Sequence, residues 1–316
     1  MPVRPLDLLD LPIVHRYRGE TLILDSARAL TRGNPLGAVA LFAYLNPTQH
    51  IHTAVCTENG QAPLLGGVTH HEGETFARLS FLAPKDGLDS GRIPELLDVL
   101  SVQAGRWGTF HLLAEVEENT AIYRSMRQAG FSVYVWQRIW NLTSLTSKPS
   151  GATWQRASRR ELLSIQVLYH QIIPALLQPV EAFPKQTNGM ICRVNGELQA
   201  YAGLISGPRG LLVQPLIHPD TDEVAEKLTG LLRSLPKRRG RMVYFCVRSY
   251  QAWLEPVLED LGAKAGPRQA VMVKHLAILQ REMQALPTQA EKAWAKPAAP
   301  IVSVVSRDEQ KISKTR

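Results

Sequence analysis

One order of elements runs along this chain twice, and a repeated order of strands and helices constrains both copies to bury their apolar faces in the same way. In the first copy, Thr75–Leu82 (TFARLSFL) reads as a strand. The turn APKDGLDSG follows, and Ile93–Ala104 (IPELLDVLSVQA) then carries apolar residues at helical spacing. Phe110–Val116 reads as a strand, Asn119–Ala129 as a helix closed by Gly130, and Phe131–Trp140 as a β-rich strand. The second copy runs Gly210–Ile217, the turn His218–Asp222, Glu223–Leu235, Met242–Val247, Tyr250–Leu261 closed by Gly262, and Ala270–Leu276. The spacing is kept too: Ser90 stands 40 residues before Gly130, and Thr221 stands 41 before Gly262.

Each copy also opens alike. Val3–Tyr17 reads as a short strand, an Asp and an amphipathic helix; Ala152–Leu168 reads as a strand, a Ser cap and a helix. Ser158 and Glu161 stand at capping-box spacing. A hairpin follows in both, Ile51–Thr57 with Leu64–His70, and Met190–Val194 with Leu198–Ile205 across the turn pair Asn195-Gly196. Ser, Thr, Pro and Gly cluster in Thr143–Gly151, which reads as a linker. The expected division is therefore a domain over 1–142, a domain over 152–286 and a disordered tail over 287–316, rich in Pro, Ala, Ser and Lys. A length of 316 residues suits two domains.

Charge separates functions less well than it first suggests. The chain carries a net +8 with a pI near 9.5. The tail alone holds a net +3, and Arg233 with Lys237–Arg241 stands where cations complement a helix C-terminus or contact a polyanion. No nucleic-acid partner is expected. Cys56, Cys192 and Cys246 are far apart and sit in apolar runs, which excludes a disulfide framework and a zinc module and points to reduced, buried thiols and a cytoplasmic location. No stretch reaches the ~20 apolar residues of a membrane span, and the N-terminus lacks a signal-peptide pattern. No metal site is expected; His70 and His71 precede a Glu-Gly-Glu turn, face opposite sides of a strand, and read as surface residues at a hairpin tip.

The order strand, helix, hairpin, strand, helix, strand, helix-Gly, strand resembles the GCN5-related N-acetyltransferase (GNAT) fold in tandem. The segments that carry it are LLAEVEENTAIYRSMRQAGFSVYVWQRIW and VYFCVRSYQAWLEPVLEDLGAKAGPRQAVMVKHL, and it covers residues 1 to about 280. The resemblance implies an α/β (α+β) protein: two tandem domains, each a mixed central sheet flanked by helices. It implies acetyl-CoA or another acyl-CoA as co-substrate. The pantetheine would lie in a gap where two central strands splay apart, and the pyrophosphate would lie on the loop opening the central helix.

In the first copy the resemblance places acyl-CoA along Ser80, Phe81 and Leu82 and on the loop with Gly87, Ser90, Gly91 and Arg92. The glycines are not at the family spacing, so a plain turn with Ser90 as helix cap is the competing reading. In the second copy His218–Glu223 has no glycine, and Asp220, Asp222 and Glu223 oppose a phosphate. The family's proton-donating Tyr is replaced by Met126 and Leu258, so Tyr123, three residues before Met126, is the candidate acid. Asn119 matches the family's Asn at the helix start, or serves as a plain cap. Glu115 is the candidate general base, or part of a solvated strand end.

Three functions remain open at this point. The first is transfer of an acyl group from acyl-CoA to an amine of a small molecule or protein, by direct attack on the thioester. The second is a binding or regulatory module that keeps the fold without the catalysis. The third is transfer from an aminoacyl-tRNA, whose sign would be salt-sensitive RNA binding.

Overall fold

The computed structural model describes residues 3–37, 48–58, 60–88, 91–142, 153–181, 183, 188–235 and 240–276. The first copy runs β1 (Val3–Pro5), α1 (Leu11–Tyr17), β2 (Leu22–Ile23), α2 (Ser26–Thr31), β3 (Gln49–Cys56), β4 (Leu64–His71), β5 (Phe76–Ala83), α3 (Ile93–Arg106), β6 (His111–Glu117), α4 (Ala121–Gln128) and β7 (Ser132–Leu142). The second runs β8 (Trp154–Arg156), α5 (Leu162–Ile172), β9 (Gly189–Val194), β10 (Glu197–Ser206), β11 (Gly210–Ile217), α6 (Val224–Ser234), β12 (Met242–Arg248), α7 (Leu254–Asp260) and β13 (Lys264–His275). The repeated order read from the sequence is therefore present. Residues 1–278 form one compact unit. The linker expected at 143–151 and the tail expected at 287–316 lie outside the described residues.

The two copies share one sheet. Its strand order is β1-β3-β4-β5-β6-β13-β7-β12-β11-β10-β9-β8, with β2 paired to β5 off this path. The last strand of each copy has crossed over. β13 lies antiparallel between β6 and β7, and β7 lies between β13 and β12. Neither copy's sheet is complete without the other's last strand, so the halves are joined by backbone hydrogen bonds and not by side chains alone.

Local chemistry accounts for the element ends. Ser158 and Glu161 form the expected capping box, and Asp7 with Asp10 forms a second one ahead of α1. Gly130 and Gly262 both adopt φ of +85°, the left-handed position that closes α4 and precedes the strand after α7. Asn195-Gly196 turns the β9–β10 hairpin with φ of +51° and +86°.

Three elements depart from the sequence reading. α4 starts at Ala121, capped by Thr120, because Asn119 takes φ of +63° and cannot cap it. The helix expected over 250–261 opens as a short 3-10 turn, Ser249–Gln251, before α7. β13 begins six residues earlier than expected, since its polar first half is held by β7.

Each copy has its own core. α3 lays Leu96, Leu97 and Leu100 on β3 and β4, all three fully buried. Burial of each such side chain contributes ~1.5–3 kcal/mol. In the second copy Phe245, Leu231 and Leu258 play the same part. The other face of the sheet carries α2, which crosses to the second copy and packs on β10 and β11.

Candidate functional site

Both copies contain a splayed strand pair. β5 and β6 are parallel and pair only from Phe76–His111 to Arg78–Leu113, although both strands continue. β11 and β12 pair from Gly210–Met242 to Val213–Phe245 and then part. These are the gaps that the resemblance implies.

The chain itself lies in the first gap. Leu22 and Ile23 pair antiparallel with Leu82 and Phe81. Leu24 N donates to Ser80 O (3.0 Å), Glu115 N donates to Leu24 O (2.9 Å), and Lys85 N donates to Glu20 O (2.9 Å). Glu20–Leu24 thus bridges both lips of the gap and takes the backbone groups of β5 that a bound amide chain would use. Leu24 is 1% exposed and belongs to the core of the first copy. In the second gap a side chain occupies the edge of β11. Gln251 is 2% exposed; its Nε2 donates to Pro215 O (2.8 Å) and its Oε1 accepts from Ile217 N (3.2 Å). Gln251 stands eleven residues before Gly262, as Asn119 stands eleven before Gly130, so it holds the position of the family's Asn.

The other candidate residues divide between two faces. Ser80, Phe81 and Leu82 are buried in β5, with the Ser80 hydroxyl unpartnered. A Cβ on Gly67 would stand 2.3 Å from the Phe81 ring, so the ring lies flat on β4. Gly87 closes a 3-10 turn over Leu64, and Gly91 is exposed. Ser90 lies outside the described residues. Arg92 takes the cap position of α3. Its guanidinium turns back to Ala62 O (3.0 Å) and Glu58 (3.8 Å) and is 5% exposed, so it does not line an open phosphate cradle.

Tyr123 stacks on Trp136 (6.3 Å between ring centroids) against the core beneath α4. Glu115 lies on the opposite face, because Ala114 and Val116 supply the core side of β6. The acid and base expected from the sequence therefore do not meet. Nor is Glu115 part of a solvated strand end: it is 8% exposed, accepts Ser26 N–H (2.8 Å), and stands 3.8 Å from Arg78. His70 is also buried, against the expectation of a surface residue.

Glu115 is one end of a polar chain that crosses the centre of the sheet. Ser26 Oγ donates to Gln269 Oε1 (3.2 Å), and Gln137 Nε2 donates to the same oxygen (2.8 Å). Arg248 and the Cys246 thiol both donate to Gln137 Oε1. Arg248 then pairs with Glu181 (2.9 Å), which also accepts from Tyr250 (3.1 Å) and Tyr134 (3.2 Å). Burial opposes the charge on Arg248, but Glu181 and its neighbours outweigh it and hold the guanidinium pKa well above its ordinary value. Burial pushes Tyr134 and Tyr250 up, with Glu181 adding to the shift, and pushes the Cys246 thiol up to about 12. These hydroxyls and this thiol stay protonated and donate. The set holds charge and hydrogen bonds in place.

No residue of this network was a sequence candidate except Glu115. The signal for Gln251 was present in the eleven-residue spacing to its glycine. Glu181 sits in an irregular segment and had none. Among the described residues no group of three or more His, Cys, Asp or Glu is arranged around a metal position, and no helix is long and apolar enough to cross a membrane.

No family model matches the chain, and no curated protein matches it. Solved structures do. A GCN5-related N-acetyltransferase from Sphaerobacter thermophilus superposes with a TM-score of 0.52 at 12% identity, covering 87% of this chain and 95% of that one. A tandem GNAT protein from the clavulanic acid biosynthesis pathway superposes with a TM-score of 0.51 at 15% identity, covering 87% and 98%. The fold of this chain is the tandem GNAT fold.

Proposed function

We propose that this chain is a binding or regulatory protein built on the tandem GNAT fold, with the two acyl-CoA gaps closed by its own residues. The observation that carries this reading is the hydrogen bonding of Glu20–Leu24 across β5 and β6, with Gln251 on the edge of β11 as its counterpart. Met126 and Leu258, where the family's Tyr would stand, are fully buried in their cores and cannot release a proton. The arrangement of Glu115 and Tyr123 on opposite faces points the same way. The division into repeats at 1–142 and 152–286 belongs to this reading.

Acyl transfer is the second reading, and the observation in its favour is that both splays persist in a fold shared with N-acetyltransferases. In that case acyl-CoA would displace Glu20–Leu24, with Ser80–Leu82 receiving the pantetheine and an amine as acceptor. The test is a panel of primary amines with acetyl-CoA, followed by thiol release and by thermal melting. The first reading predicts no thiol release above the uncatalysed rate and no saturable rise in melting temperature. Robust release that Leu24→Gly increases would establish the second.

A further inference from the structure

Among the described residues, two histidine pairs stand directly opposite each other on neighbouring strands, and the two pairs meet in different ways. His50 on β3 faces His70 on β4, and His111 on β6 faces His275 on β13. The first pair is stacked. Its rings are 5.8 Å apart at 8°, and the Nδ1 of His70 is taken by Phe76 O (3.1 Å). A ring nitrogen's lone pair lies in the ring plane, so those of two near-parallel rings do not converge on one point. The second pair meets edge to face, with ring centroids 5.0 Å apart and planes at 84°, and its two Nδ1 atoms are 3.1 Å apart. One ring donates its Nδ1–H to the lone pair of the other. Both backbones are fixed. β6 pairs with β5 at Phe76–His111 and with β13 at His275, and Leu276 N donates to Phe110 O (2.9 Å) just beyond the pair. His111 is half-buried and His275 exposed.

The geometry points to a two-histidine site for a divalent transition-metal ion, held by Nδ1 of His111 and Nδ1 of His275. Two nitrogens that bind one ion at ~2.0–2.1 Å, roughly 100° apart, stand about 3.1 Å from each other, which is the separation already present. The exposed His275 ring needs only a small rotation to turn its nitrogen from its partner to a shared ion. The proton on the donating Nδ1 then passes to Nε2 as that ring changes tautomer, and both ligands are neutral imidazoles. Among the described residues no third His, Cys, Asp or Glu joins them. Such a set suits Cu²⁺ above Ni²⁺ or Zn²⁺, and it does not suit Mg²⁺ or Ca²⁺, which take oxygen ligands. Water would fill the remaining positions. One ligand comes from each copy, so the ion would clamp β6 of the first to β13 of the second at the end of their shared ladder. The pair stands at the closed end of the β5–β6 splay, where Phe76 and His111 still pair, so the site does not depend on whether the gaps open.

Cu²⁺ alone is the probe, added to the full chain at neutral pH and followed by electron paramagnetic resonance and by thermal melting. One saturable site with nitrogen hyperfine coupling from two imidazoles is expected, with a rise in melting temperature as it fills. Chelation makes the second bond intramolecular, so His111→Ala and His275→Ala should each weaken that site roughly tenfold or more and reduce the rise. His50→Ala should leave both unchanged, and millimolar Mg²⁺ should not displace the ion. His275 is exposed, so His275→Ala keeps the test valid if His111→Ala does not fold. No saturable site, a site kept in His275→Ala, a site lost in His50→Ala, or displacement by Mg²⁺ would each overturn the inference. Acetyl-CoA binding tests the closed gaps separately and leaves this readout unmoved.

Discussion

Single side chains close this molecule, and their removal should be measurable. Gln251→Ala leaves Pro215 O and Ile217 N without partners inside the second copy. A cost of ~1–3 kcal/mol is expected in chemical denaturation. Glu181 accepts from Arg248, Tyr250 and Tyr134, so Glu181→Ala strands a buried guanidinium and should cost ~3–5 kcal/mol by the same measurement. The thiols give a third test. Cys56, Cys192 and Cys246 are buried, and burial raises the pKa of each, to about 12 for Cys246. A thiol reagent at mildly alkaline pH should label none of them in the native chain and all three after denaturation. The sequence showed these cysteines correctly as small buried groups because each sits in an apolar, strand-like run. It did not show Glu115 as buried, since the residue that covers it, Ser26, is 89 positions away.

At the scale of elements, some caps and turns were legible and partners were not. The Ser158–Glu161 capping box, the closing glycines and the Asn-Gly hairpin are decided within a few residues, and they stand where the sequence puts them, whereas the cap of α4 falls on Thr120 and not on Asn119. β2 is two residues long, too short for any period, yet it fills the first gap. The polar half of β13 reads as a loop because its backbone, not its side chains, is what β7 holds. The cap of α1 makes a pH prediction. Asp10 accepts from Arg4 (2.6 and 2.7 Å) and from Asp7 N (2.9 Å), and these bonds, Arg4 first, hold its pKa below the ordinary carboxylate value. A folded pKa below the unfolded one stabilises the fold above the ordinary value, and the gain is lost as pH falls through the folded pKa. Asp10→Asn should therefore lower stability at neutral pH and flatten the acid side of the stability profile.

At the scale of the whole molecule, the exchange of β7 and β13 makes two copies into one sheet. Repetition in the sequence revealed the copies; it could not reveal that they share strands, because periodicity reports which face a residue buries and not which strand lies beside it. The same holds for the gaps. The splay is a property of the fold and was expected, whereas its occupation by Glu20–Leu24 and Gln251 is a property of this chain. The account rests on that occupation, and calorimetric titration of the full chain with acetyl-CoA tests it most directly. No saturable heat at millimolar ligand is the result predicted. Stoichiometric binding, abolished by substitutions in β5, would contradict it.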